Sequence, residues 1–136
     1  MNIGNIMKKN VETIQANESA RKAGDMMYRL GIRHLPVMKG KNLVGMISDR
    51  DLALAAFFTK EDEKLKNIRS DVLAQDIMTL NPVILSPLDS VQKTMELAIE
   101  KKYGAFPVMD QSQLVGIVSV IDLLEVGLKA LQGKLK

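Results

Sequence analysis

Residues 43–52 read LVGMISDRDL, and residues 114–123, 71 positions later, read LVGIVSVIDL. The same offset aligns Ile6-Met7 with Ile77-Met78, Asn10 with Asn81, Ser19 with Ser90, and Pro36-Val37-Met38 with Pro107-Val108-Met109. From residues 6–55 to residues 77–126 the register needs no gap, and 14 of 50 positions are identical. Unrelated sequences of this composition would share about three or four. An internal duplication constrains the fold more than any other feature, because both copies must satisfy one architecture. Alone, a copy of about 60 residues would bury only about 60% of its unfolded surface. The copies are therefore expected to share a core.

Each copy shows the same hydrophobic pattern. Residues 11–14 and 83–85 read as short strands. Residues 19–30 and 89–101 read as helices, with apolar stripes of Ala20, Ala23, Met26, Met27 and Leu30 in one and Val91, Met95, Ala98 and Ile99 in the other. Residues 35–38 and 43–47 read as a hairpin with the four-residue turn Lys39-Gly40-Lys41-Asn42. Residues 106–109 and 114–118 form its counterpart around Asp110-Gln111-Ser112-Gln113. A last helix starts near Ser48 or Ser119. Each copy is strand, helix, strand, strand, helix, which gives a mixed α/β (α+β) class. The polar stretch 59–70, TKEDEKLKNIRS, reads as a linker or a solvated helix end. The expected organisation is repeat 1 over residues 1–58, a linker over 59–70 and repeat 2 over 71–136, in one integrated module.

Composition removes several function classes. There is no cysteine, so disulfides, thiolate zinc sites and cysteine nucleophiles are excluded. His34 is the only histidine, which rules out a histidine-rich metal site in one chain. No nucleophile–base pair or Gly-rich P-loop stands out, so an enzyme is not expected. The net charge of +3 would favour phosphates but is too small to indicate nucleic acid. An aromatic content of 4% argues further against single-strand binding. The longest apolar run, residues 52–58, is far short of a membrane span, and MNIGNIMKKN has no secretory h-region. A soluble, cytoplasmic protein without a membrane partner is expected. The methionines read mainly as core filler.

The repeated Ser48-x-x-Asp51 and Ser119-x-x-Asp122 admit two readings. Each fits a capping box, in which the Ser hydroxyl accepts a backbone N–H and the acid favours the helix N-terminus. Gly45 and Gly116 would then serve close packing in the hairpin. Alternatively, the carboxylate at the strand-to-helix turn accepts hydrogen bonds from the vicinal hydroxyls of a ribose. Both hold together if Ser caps while Asp binds.

Gly-x-x-Ser-x-x-Asp after a strand, twice, each time preceded by a Pro-Val strand and headed by Ile-Met, resembles the paired CBS domain, named for cystathionine β-synthase. The resemblance spans about residues 6–126. It implies two repeats packed as a pseudo-twofold pair, in a stand-alone regulatory module of the energy-sensing kind. The implied ligand is an adenine nucleotide (AMP, ADP or ATP) or, alternatively, S-adenosylmethionine, held in the cleft between the repeats. Asp51 and Asp122 would hold ribose, with Ser48 and Ser119 near ribose or phosphate. Val11, Thr13, Leu35, Pro82, Ile84 and Phe106 would enclose adenine. The resemblance also implies a homodimer through helices and an effector protein. Ala16 departs from the family's usual proline, which copy two keeps as Pro87. A structural interaction module without nucleotide binding is the competing reading.

The copies differ in charge. Arg33-His34 precede the second strand of copy one, where copy two has Gly104-Ala105. Asp49-Arg50 become Val120-Ile121. Arginine in a first helical turn is locally disfavoured by a few tenths of a kcal/mol. Arg33, His34 and Arg50 are therefore read as converging on phosphate, with a surface ion pair to Asp49 as the alternative for Arg50. One competent nucleotide site, in copy one, is expected.

Overall fold

A computed structural model of the chain describes residues 1–57 and 68–135. The stretch read as a linker, 59–70, lies outside the described residues as far as residue 67. In chain order the elements are a 3-10 turn (Ile3–Asn5), β1 (Ile14–Gln15), α1 (Ala20–Leu30), β2 (His34–Lys39), β3 (Asn42–Ser48), α2 (Asp49–Phe57), α3 (Ala74–Ile77), β4 (Thr79–Leu80), α4 (Val91–Lys101), β5 (Ala105–Asp110), β6 (Gln113–Ser119) and α5 (Val120–Leu131). The class is mixed α/β, as expected.

The chain forms two compact units that cut across the sequence repeats. One comprises residues 12–82, here the Ser48 unit; the other comprises residues 1–11 and 83–136, here the Ser119 unit. In the Ser48 unit the sheet order is β1-β2-β3-β4, with β1 parallel to β2 and the other pairs antiparallel. The Ser119 unit repeats this plan with weaker flanks. Antiparallel β5-β6 is flanked by a parallel bridge Leu85–Val108 and an antiparallel bridge Lys8–Ile117. The head of each sequence copy thus pairs with the hairpin of the other copy.

This exchange answers the problem of small cores. The Ser48 cluster joins Ile14, Ala23, Met27, Leu35, Val37, Ile47 and Leu52 with Ala74 from copy two. The Ser119 cluster joins Leu85, Val91, Phe106, Val108, Val118 and Leu123 with Ile3 from copy one. The expected sharing takes the form of two cores, each built from both copies. Ile68, at the end of the stretch read as linker, is 1% exposed and belongs to the first of them.

The repeated glycines make the head exchange possible. A Cβ on Gly45 would lie 2.6 Å from Met78 Sδ and 2.8 Å from the Thr79 carbonyl oxygen. On Gly116 it would meet Met7 Sδ at 2.5 Å and the Lys8 carbonyl oxygen at 3.1 Å. The close packing is therefore against the incoming head, not within the hairpin.

Other repeated residues have local causes. Ser19 and Ser90 cap α1 and α4, accepting from the Lys22 and Lys93 N–H groups. Asn10 and Asn81 adopt left-handed backbone, φ 57° and 51°, which Asn tolerates better than most residues. The expected four-residue turns are two-residue links, because Lys39 pairs with Asn42 and Asp110 with Gln113. Polarity at those positions marked exposed strand ends, not the loop. The strand expected over 11–14 is found later and shorter, at Ile14–Gln15, and that over 83–85 is reduced to the Leu85 bridge.

Candidate ligand-binding site

Each unit ends its hairpin on serine and starts a helix at once. In the Ser48 unit the Ser48 N–H donates to Asp51 Oδ2 at 2.9 Å, and the Asp51 N–H donates to Ser48 Oγ at 3.1 Å. In the Ser119 unit the matching bonds are 2.8 and 3.1 Å. Both motifs are therefore reciprocal capping boxes. Each box uses one carboxylate oxygen, which leaves the lone pairs of Oδ1 for a further donor.

The surroundings of the first box are cationic. His34 stands opposite Ser48 across the β2–β3 ladder. Arg33 is tied to the start of α2, its carbonyl accepting from the Asp49 N–H at 3.0 Å. Arg33 and Arg50 are exposed, while His34 and Asp51 are half-buried. Burial holds the His34 imidazole below its ordinary value of 6.5; Asp49 and Asp51 pull it upward and Arg33 pulls it down. Among the described residues no cation forms an ion pair with Asp51.

Around the second box the equivalent positions are apolar. Ala105 faces Ser119, and the Gly104 carbonyl accepts from the Val120 N–H at 3.0 Å. Val120 packs against the unit's core, whereas Ile121 is 58% exposed. Asp122 is 8% exposed. Its Oδ1 is approached by Lys8 Nζ at 3.8 Å.

The residues expected to enclose a base fall in different settings. Leu35 and Phe106 are 0% exposed core residues, so neither presents surface to a ligand in this structure. Val11, Thr13 and Pro82 are half-buried and Ile84 is exposed. Thr13 and Ile84 each immediately precede the residue that pairs with the central hairpin, Ile14 with Val37 and Leu85 with Val108. Tyr28 is exposed, and Tyr103 stacks edge-on against Phe106 with centroids 5.9 Å apart. Sequence reasoning overlooked Lys8 and its counterpart Thr79. The 71-residue register sets this lysine against a threonine, but nothing local in the sequence ties either to the Ser-x-x-Asp that it adjoins in space. Among the described residues no cluster of acidic residues and histidine is placed to hold a metal, and no helix is long and apolar enough to cross a membrane.

Comparison with known proteins places this geometry. The family model for the CBS domain matches residues 3–57 and 74–129. A CBS domain-containing protein of Bacillus subtilis, YhcV, is 28% identical over 86% of this chain and 79% of its own length. A homoserine O-acetyltransferase of Methanococcus vannielii is 32% identical over 86% of this chain, but the chain spans only 23% of that protein. Among solved structures, CBSX2 of Arabidopsis thaliana in complex with AMP superimposes with a TM-score of 0.81 at 22% identity, covering 94% of this chain and 97% of that one. A CBS domain pair solved with 5′-methylthioadenosine and S-adenosyl-L-methionine gives 0.79 at 24% identity, covering 98% of each chain. At these identities the superpositions establish the fold. With two matches of the family model accounting for most of its length, the chain belongs to the CBS domain family.

Proposed function

We propose that the chain is a regulatory module that binds an adenine nucleotide of the AMP, ADP or ATP type and passes a change of shape to an effector protein. The observation that carries this reading is the first capping box. There a carboxylate with one oxygen uncommitted sits at a strand-to-helix turn beside Arg33, His34 and Arg50. The carboxylate suits a ribose diol, and the two guanidinium groups with the imidazole N–H suit phosphate oxygens. The ligands of the two related structures, AMP in one and methylthioadenosine with S-adenosylmethionine in the other, share the adenosine part. Thr13 and Pro82, with their counterparts Ile84 and Val11, are the proposed base-enclosing groups. Ser119 and Asp122 are the proposed second ribose contact.

Binding without catalysis is the reading, and regulation requires the ligand to prefer one conformational state. Self-association is the proposed second part of the output. On α5, Ile121, Leu124, Leu128 and Leu131 are 58%, 62%, 56% and 89% exposed, and their spacing puts them on one helix face. Glu125 and Lys129 lie on the same helix, and antiparallel pairing of two α5 helices would bring opposite charges together. We assign this face to a second copy of the chain.

Isothermal titration with AMP, ADP, ATP and S-adenosylmethionine tests the binding reading. Micromolar binding that Asp51→Asn weakens by about 10- to 100-fold is expected, the worth of hydrogen bonds to a charged acceptor. No heat and no shift in melting temperature with any ligand would leave the second reading, a structural interaction module. The reciprocal capping in both units favours that reading: there Asp51→Asn and Asp122→Asn would alter stability alone.

A further inference from the structure

We propose that Lys8 is a built-in competitor for the Asp122 carboxylate, so that the Ser119 unit holds a ribose-bearing ligand more weakly than the Ser48 unit does. The inference rests on the binding reading above and assigns a role to a residue outside the Ser-x-x-Asp motif.

The placement of Lys8 is enforced. Its N–H donates to the Ile117 carbonyl at 2.9 Å, and its own carbonyl accepts from the Ile117 N–H at 3.0 Å. Gly116 leaves room for the Met7 side chain and the Lys8 carbonyl oxygen, which an added Cβ would meet at 2.5 and 3.1 Å. Ile117 lies two residues before the capping serine, so the pairing delivers the lysine to the motif. Its ammonium lies 3.8 Å from Asp122 Oδ1, the oxygen that the capping box leaves uncommitted. The lysine side chain is 66% exposed and the Asp122 side chain 9%. The cation approaches from solvent onto a carboxylate with little other access to it, and a diol seeking that oxygen must compete with the cation. In the Ser48 unit the matching residue is Thr79, which pairs with Met46 as Lys8 pairs with Ile117. A threonine hydroxyl carries no charge to hold Asp51.

An ion pair with one exposed partner is worth little, so the expected difference is about two- to fivefold in affinity. The test is an NMR titration with adenosine, which has the diol but no phosphate. The Ser119 and Asp122 amides report one motif, and the Ser48 and Asp51 amides the other. Lys8→Thr is expected to tighten binding at the Ser119 motif by about two- to fivefold and leave the Ser48 motif unchanged. Lys8→Arg retains the wild-type affinity, and Thr79→Lys weakens the Ser48 motif by a similar factor. Melting temperatures confirm that the variants are folded. If the wild-type chain binds adenosine and neither exchange moves its own motif, or Lys8→Thr weakens binding, the competitor role is overturned and the binding reading stands. If no amide in either motif responds to adenosine in any variant, this inference is overturned, and the calorimetry with AMP decides the binding reading separately.

Discussion

The Ser48 and Ser119 units put the same capping box to work in opposite surroundings. Around Asp51 the cations are Arg33, just before β2, and Arg50, in the first turn of α2, with the His34 imidazole, whose charge burial disfavours, beside them. Around Asp122 those positions hold Gly104, Ala105 and Ile121, and the cation is Lys8, on the carboxylate itself. What the two units share is what the backbone needs: Ser19 and Ser90 as caps, Asn10 and Asn81 in left-handed turns, and Gly45 and Gly116 beneath the incoming head. What they do not share is charge around an otherwise constant turn. A duplication within one chain thus separates residues the fold requires from residues a ligand would meet.

The largest effect expected from breaking this likeness is at the glycines. At Gly45 an added Cβ meets a backbone oxygen at 2.8 Å, in a strand pair held at two register positions. At Gly116 the nearest obstacle is the flexible Met7 thioether, the backbone oxygen is 3.1 Å away, and a single bridge, Lys8–Ile117, pairs the head with β6. Overpacking usually costs about 1–3 kcal/mol. Gly45→Ala should fall at about 2–3 kcal/mol and Gly116→Ala at about 1–2 kcal/mol, compared by urea unfolding. Equal losses would show that the two heads are held alike.

Next comes charge. Arg33→Gly with His34→Ala gives the Ser48 unit the residues that the Ser119 unit has. If these groups meet phosphate, AMP affinity measured by calorimetry drops by about tenfold or more while adenosine affinity hardly moves, because each charge-assisted bond is worth about 1.5–3 kcal/mol. Parallel losses for both ligands would instead mean that the pair supports the turn.

Much of this was legible in the chain because its causes are local. Helical stripes, capping serines and hairpins depend on residues within a few positions of each other, and α1, α4 and both hairpins appear where the pattern puts them. The short α3, β4 and the Lys8 bridge were not legible. They are one to four residues long, too short for periodicity, and their partners are distant in sequence: Lys8 pairs with Ile117. The clue was indirect, a glycine kept in both hairpins with no turn to explain it. Of the candidate site, the Ser-Asp pairs were readable from spacing. Lys8 was not, because its role arises only when the head docks on the opposite copy's hairpin.

A smaller asymmetry sits at the helix ends. α1 ends on Gly31 at φ 65°, α4 on Lys102 at φ 59°. A left-handed conformation costs a residue with a Cβ about 1 kcal/mol or more, part of which glycine's greater unfolded freedom offsets. Lys102→Gly should stabilise the chain by about 0.5 kcal/mol, and Gly31→Lys should cost about 1 kcal/mol, both read from thermal unfolding. The exchange separates backbone strain from any contact, since a Cβ at Gly31 meets nothing within 4 Å.

The smallest expected effect concerns protons, and it belongs to the Ser48 unit because the Ser119 unit has Ala105 where His34 stands. Burial holds the His34 imidazole below 6.5 with Arg33 adding to the lowering, while Asp49 and Asp51 oppose both. With the folded value below the unfolded one, the unfolded chain binds more protons in the window between the two. Stability therefore rises with pH through that window, and on acidification it is lost from about pH 6.5 downward. Unfolded carboxylates titrate near 4, so comparing urea midpoints at pH 7.5 and 5.5 mainly isolates the histidine. Wild type should lose stability on going to pH 5.5, and His34→Ala should lose less. A gain in wild type would mean that the two aspartates outweigh burial. A phosphate placed against this histidine adds a negative charge that the imidazolium prefers, so nucleotide binding should draw in a proton near pH 6.5. Because the AMP phosphate also titrates at about pH 6, the histidine's share is read as the difference in proton uptake between wild type and His34→Ala, from binding enthalpies in buffers of different ionisation heat.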